Sequence, residues 1–175
     1  MPVPYTPLAI ANTFIQKFSH ESDGIEHMKL QKLVYCSYGW WLVGKNQDQQ
    51  PLCLEGPQVW AYGPVFQSLY HIFKVFGHQK IKAPKSGSPF EEISVVDQDD
   101  RLIESLIDWI WTRYGHLSGL ALSEMTHKPG TPWQRVVQEY NYRVPDGLVI
   151  PDRYIFDEFQ GLLDSYRSRE TAATS

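Results

Sequence analysis

One long, mostly apolar segment limits how this chain can fold. It runs from Met28 to Gly44 and reads MKLQKLVYCSYGWWLVG, with strongly polar residues only near its start, at Lys29, Gln31 and Lys32. At 3.6 residues per turn, the hydrophobic side chains cover nearly the whole circumference of a helix. The segment is near the lower length limit for a membrane span and begins with two lysines. We therefore predict a buried core helix, with the rest of the chain packed around it.

The flanking sequence predicts further helices from their capping residues. Thr6-Pro7 and Thr131-Pro132 each place a capping threonine before a proline, which favours a helix start. The acidic stretch 97–100 and Ser118 mark two more starts. The other predicted helices are the central one, one that begins near Pro64 and one that runs from about Pro151-Asp152 to about Tyr166.

Residues 51–65, PLCLEGPQVWAYGPV, predict a small β arm or hairpin. Two short runs, 52–54 and 58–62, are separated by a turn at Gly56-Pro57, and Gly63-Pro64 should end the extended segment. Six or seven helices and one minor β arm make the predicted fold α-dominant. We expect a single-domain helical bundle over residues 1–168 and a disordered tail over residues 169–175, because the tail has little to bury.

Charge and cysteine content limit the class of function. The 175 residues carry a formal net charge of −4, which disfavours a protein that coats nucleic acid. The two cysteines, Cys36 and Cys53, are few for a disulfide scaffold, and Cys36 lies in the apolar helix. The N-terminal residues lack the charged and apolar regions of a signal peptide. We expect a reduced, cytoplasmic protein with no membrane or nucleic-acid partner.

Ser123 and His127 are the strongest candidates for a catalytic pair. They are four residues apart, so one helix face carries both, and a hydroxyl beside an imidazole is typical of an activated nucleophile. The segment lacks a glycine-flanked nucleophile elbow and an evident acid to orient the histidine. A histidine near a helix C-terminus is also favourable in itself. We interpret the pair as structural and keep a small hydrolase, using this pair or Cys36, as the alternative.

No other pattern predicts a metal ion or a cofactor. The six histidines show no HxH, HxxxH or HExxH spacing, and two distant cysteines do not make a zinc ribbon. Gly63-Pro64 cannot cradle a phosphate, because the proline lacks an N–H and a single glycine is too few. Lys80, Lys82 and Lys85 form the only basic cluster, which is typical of a solvated loop.

Aromatic residues outside the predicted core suggest a contact surface for another protein. Trp60 and Tyr62 lie on the arm, Tyr70 on the helix after it, and Trp133 just after Thr131-Pro132. Trp and Tyr are the residues that most often dominate protein–protein binding energy. The alternative is that these rings pack the arm onto the helical core.

Several segments together resemble one protein family. MKLQKLVY (28–35), PLCLEGPQVWAYGPV (51–65), YGHLSGLALSEMTH (114–127) and TPW (131–133) occur in the order and spacing of the Panacea domain. This domain is also called the SocA-like antitoxin or phage-associated GepA-like family. The resemblance extends from about Leu8 to about Leu163. Pro51-Leu52-Cys53 and the residues just before Pro132-Trp133 depart from the common pattern, on surfaces where a partner would bind.

The resemblance implies an antitoxin that neutralises a cognate toxin by direct binding, without catalysis. The resemblance includes a branch whose antitoxin delivers its toxin to a protease, so an adaptor is a further alternative. In that alternative the tail or the Lys80–Lys85 loop contacts a protease or chaperone. Cofactors and metal ions are not expected. The residues proposed to bind the partner are Trp60, Tyr62, Gly63, Pro64, Thr126, His127 and Trp133.

Overall fold

The computed structural model describes residues 3–45 and 49–174 of the chain. Over these residues it forms seven α-helices and two small antiparallel sheets, so the predicted α-dominant fold is confirmed. The helices are α1 (Pro7–Phe18), α2 (His27–Gly44), α3 (Gln67–Phe73), α4 (Arg101–Tyr114), α5 (Gly119–His127), α6 (Pro132–Glu139) and α7 (Asp152–Ala173). The strands are β1 (Ile25–Glu26), β2 (Gln58–Trp60), β3 (Gly63–Val65) and β4 (Lys80–Ile81), with β1 paired to β4 and β2 to β3.

The central helix is α2, as the apolar segment predicts. It packs against α1, α4, α5 and α7, and residues on all of its faces are buried. Even two of its polar residues, Gln31 and Lys32, are buried. Gln31 is satisfied because its amide group accepts from Phe66 N at 2.9 Å and donates to Phe66 O at 3.1 Å. This pair of hydrogen bonds ties α2 to the residue that precedes α3.

Local capping sets the predicted helix starts. Thr6, Asp100, Ser118 and Thr131 all lie at N-cap positions, and each side-chain oxygen accepts a hydrogen bond from a backbone N–H three residues later. Such a cap contributes about 1 kcal/mol because it satisfies an N–H that has no partner within the helix. The four starts are confirmed by the structure.

The β arm differs from its prediction. The hairpin forms between β2 and β3 with its turn at Ala61-Tyr62, whereas the expected turn was Gly56-Pro57. Pro64 lies in β3, opposite Val59, and does not start a helix. A proline is tolerated there because its missing N–H is not needed, while its carbonyl oxygen still accepts a hydrogen bond.

Residues 52–54 are not a hairpin strand. Cys53 instead forms an isolated parallel bridge with Tyr5, and Tyr5 N donates to Leu52 O at 2.8 Å. The segment therefore ties the N-terminus to the body of the protein. Both cysteines are buried and free.

Two further segments form secondary structure beyond what the sequence predicts. The long lysine-containing loop includes β4, which pairs with β1, and Lys82 forms an exposed ion pair with Asp23 at 2.8 Å. Helix α7 continues to Ala173, beyond its predicted end near Tyr166, and residues 167–174 are exposed along it. Whether residues 169–175 fray stays a prediction, and Ser175 lies outside the described residues. No helix in the described residues has the length and apolar character that crossing a membrane requires.

Candidate partner-binding site at the hairpin

Side chains from three helices hold the β2–β3 hairpin by its backbone. Four carbonyl oxygens of the hairpin each contact a hydrogen-bonding side chain, and we call these four side chains the hairpin clamp. The contacts are Trp133 Nε1 to Trp60 O at 2.7 Å, His127 Nε2 to Ala61 O at 3.0 Å, Ser123 Oγ to Tyr62 O at 2.8 Å and Lys32 Nζ to Pro64 O at 2.8 Å. Because these contacts tie four backbone carbonyls of the hairpin to α2, α5 and α6, and Gly63 and Val65 beside them are buried, the clamp defines where the hairpin lies.

His127 connects the hairpin to α5 and α6. Its Nε2 lies 3.0 Å from Ala61 O, its Nδ1 lies 2.6 Å from Ser123 O, and its ring meets the Trp133 ring edge-on at 4.4 Å. Both neighbours are carbonyl oxygens, which can only accept. The ring therefore lies between the hairpin and its own helix, with a carbonyl oxygen next to each nitrogen.

Lys32 places an amino group inside the protein. Its side chain is 1% exposed, it donates to Pro64 O, and it forms no ion pair with any carboxylate in the part of the chain described. Burial lowers the pKa of Lys32 from 10.5 to about 7, because the charged form loses its hydration. In the sequence Lys32 stands out only as a polar residue near the start of α2. Lys32 lies four residues from both Met28 and Cys36, so it shares an apolar helix face with them. This spacing was the signal in the sequence that its side chain is buried.

Gly63 allows the hairpin to approach α5 closely. Its φ of +100° favours glycine, and a Cβ there would lie 2.5 Å from Thr126 Oγ1 and 3.2 Å from Lys32 Nζ. Thr126 is buried and donates to Ser123 O at 2.8 Å. Gly63, Pro64 and Thr126, three of the proposed partner-binding residues, therefore lie beneath the surface, where they support the hairpin.

The other four proposed residues reach the surface. Tyr62 is 67% exposed at the hairpin turn, and Trp60, His127 and Trp133 are half-buried. Trp60 separates two depressions: a cleft of about 610 Å³ that Trp133 also lines, and an apolar pocket of about 360 Å³ that Tyr62 also lines. The structure thus gathers all seven proposed residues around one hairpin, four of them accessible.

The Ser123–His127 pair is engaged by backbone groups. The Ser123 hydroxyl is buried and donates to Tyr62 O, and His127 Nδ1 contacts the Ser123 carbonyl oxygen instead of the hydroxyl. This geometry favours the structural interpretation of the pair. Among the described residues, no three His, Cys, Asp or Glu side chains are grouped so that they could hold a metal ion.

Two comparisons with known proteins match this chain. The family model "Antitoxin SocA-like, Panacea domain" matches residues 30–134, a range that includes the hairpin and the whole hairpin clamp. The curated protein "Antitoxin SocA" of Caulobacter vibrioides (strain NA1000 / CB15N) is 29% identical over 158 residues, which are 87% of this chain and 81% of that protein. No solved structure matches the chain.

Proposed function

Because the chain belongs to the SocA-like antitoxin family with a Panacea domain, we propose that it neutralises a cognate toxin by direct binding and without catalysis. The hairpin face is the proposed contact surface, with Tyr62 at its centre and Trp60 and Trp133 beside it. In this proposal the protein acts in the cytoplasm and covers the surface through which the toxin acts.

The observation that carries this proposal is the hairpin clamp. Four side chains engage the backbone of a short turn and leave the Tyr62 side chain in solvent. A large aromatic side chain on a fixed backbone loses little conformational entropy on binding, which is why such residues act as binding hot spots. The clamp therefore supports a surface that is ready to bind before the partner arrives.

The first prediction concerns Tyr62. Tyr62→Ala should weaken toxin binding by about tenfold to several hundredfold, in the range of a hot-spot truncation, because the ring is the accessible centre of the proposed surface. The partner is the product of the adjacent reading frame, if that product arrests growth when expressed alone. Binding is measured with the purified toxin, and neutralisation by growth on co-expression. Trp60→Ala should act in the same direction.

Phe90→Ala is the matched control. Phe90 is 99% exposed on the long loop and lines neither depression beside the hairpin, so its removal should leave binding unchanged. Thermal unfolding of each variant shows whether folding survives. If the wild type binds the toxin and both Tyr62→Ala and Trp60→Ala bind it equally well, the hairpin is not the contact surface. If the wild type does not bind the toxin, neutralisation by direct contact is rejected. Toxin abundance on co-expression distinguishes occlusion, which leaves toxin levels unchanged, from delivery to a protease.

A further inference from the structure

The cleft beside the hairpin has aromatic walls and a single charged group. Trp60, Trp133 and Tyr142 line it together with the Asp146 carboxylate, and its volume is about 610 Å³. No lysine, arginine or histidine is among the residues that line it. Asp146 is exposed and has no ion-pair partner among residues 3–45 and 49–174.

The indole N–H groups of the cleft are already used inside the protein. Trp60 Nε1 donates to Gln58 Oε1 at 3.0 Å, and Trp133 Nε1 donates to Trp60 O at 2.7 Å. Gln58 in turn donates to Gln67 Oε1 at 3.3 Å, so its amide orientation is also set. What the tryptophans offer to an incoming group is therefore their ring surfaces, which carry the negative part of the aromatic quadrupole.

An unfavourable backbone conformation places Tyr142 at the edge of the cleft. Asn141 and Tyr142 follow α6 with φ values of 49° and 62°, a region that a tyrosine rarely occupies. The turn is maintained by a hydrogen bond from Tyr142 N to Val137 O at 2.9 Å, and the Tyr142 side chain is 74% exposed. Neither backbone preference nor burial explains a tyrosine here, whereas contact with a ligand does.

We propose that this cleft receives a cationic side chain, an arginine or a lysine, from the toxin. This inference rests on the proposed antitoxin function and names the chemistry of the partner group. Aromatic faces attract a cation through their quadrupole, and the Asp146 carboxylate at the edge adds an opposite charge. An anionic group would meet the same carboxylate and no compensating cation. The hairpin and the cleft then form one continuous surface that shares Trp60.

Two glycine substitutions test the role of the Tyr142 ring. Tyr142→Gly should raise Tm by about 2–4 °C, because glycine relieves the positive-φ strain. The same change should weaken binding of the purified toxin by about tenfold, because one wall of the cationic site is gone. Asn141→Gly is the matched control, since it relieves the same kind of strain at the neighbouring residue without removing a ring. It should raise Tm and leave the dissociation constant unchanged.

A charge exchange tests the role of Asp146. Asp146→Lys should weaken binding of the purified toxin by about tenfold or more, since two cations would then face each other. In the toxin, the arginine or lysine that occupies the cleft is then replaced by glutamate. This toxin variant should bind Asp146→Lys again and should no longer bind the wild type. If the wild type binds the toxin and both Tyr142→Gly and Asp146→Lys bind it with the same affinity, this inference is overturned while the proposed function stands. No toxin binding by the wild type would instead overturn the proposed function itself, and this inference with it.

Discussion

Lys32 brings a titratable amine into the centre of the molecule, where it contacts one backbone carbonyl and no carboxylate among the described residues. The pKa of Lys32 in the folded protein is about 7 because burial removes water from the ammonium group, whereas the ordinary value is 10.5. Between these two values the unfolded chain binds more protons than the folded protein. The free energy of unfolding therefore rises with pH across this window, and this contribution is lost as the pH falls through 7.

Lys32→Met should remove this pH dependence. The substitution keeps the apolar stem but has no group to protonate, so the wild-type increase in unfolding free energy between pH 7 and pH 9, on the order of 1–3 kcal/mol, should be absent. Urea unfolding at both pH values measures the difference. Lys74→Met, at an exposed position, is the matched control and should keep the wild-type slope. A Lys32→Met variant with the wild-type slope would show that the amine is not the source.

At the scale of elements, α2 and α7 approach each other closely at one glycine. A Cβ on Gly39 would lie 2.2 Å from the Phe159 ring, which also meets the rings of Tyr35 and Trp40 edge-on. Phe159 and Gly39 are both buried, so the ring cannot move aside into solvent. The absence of a side chain at Gly39 thus sets the distance between the central helix and the last one.

Gly39→Ala should destabilise the protein by about 1–3 kcal/mol, the usual cost of adding volume to a filled core. Chemical denaturation measures the change. Gly44→Ala is the matched control, because Gly44 ends the same helix and a Cβ there would meet nothing within 4 Å. It should be neutral or slightly stabilising, since alanine favours the helix. Equal effects of the two substitutions would contradict the close approach of α7 at Gly39.

At the scale of the whole molecule, the core ends before the chain does. Helix α7 contributes buried residues only up to Phe159. Further along, Arg113 Cζ lies 4.0 Å from the centre of the Tyr166 ring. From residue 167 onwards every described side chain is exposed. The last turns of α7 therefore extend from the body of the protein without covering it.

Deletion of residues 167–175 should change the stability by less than about 0.5 kcal/mol, because every described side chain in this range is exposed. Thermal unfolding and toxin neutralisation are the measurements. The control is Phe159→Ala on the same helix, which should cost about 3–5 kcal/mol because it empties a core position. If the deletion leaves Tm unchanged but abolishes neutralisation, the tail carries a partner contact. A large fall in Tm would contradict the exposure of these residues.

The predictions from sequence were accurate where the determining interactions are local. A capping threonine or serine acts on backbone groups three residues away, and an apolar helix surface is visible in a seventeen-residue window. The hairpin was predicted with the wrong turn because its position depends on donors from Lys32, Ser123 and Trp133, which lie far from it in sequence. The same long-range contacts separate exposed Tyr62 from buried Thr126, a distinction that residue type does not reveal.

The sequence alone thus determined the helical class and the central helix, while its candidate partner-binding residues stay a prediction. The tertiary structure decided which of those residues are accessible, and it revealed the cleft that Tyr142 and Asp146 line. The physical reason is that helix formation and capping depend on neighbours within one or two turns, whereas burial and charge environment depend on the packing of distant segments. Lys32 illustrates both, since it is an ordinary lysine in the sequence and a buried donor to the hairpin in the fold.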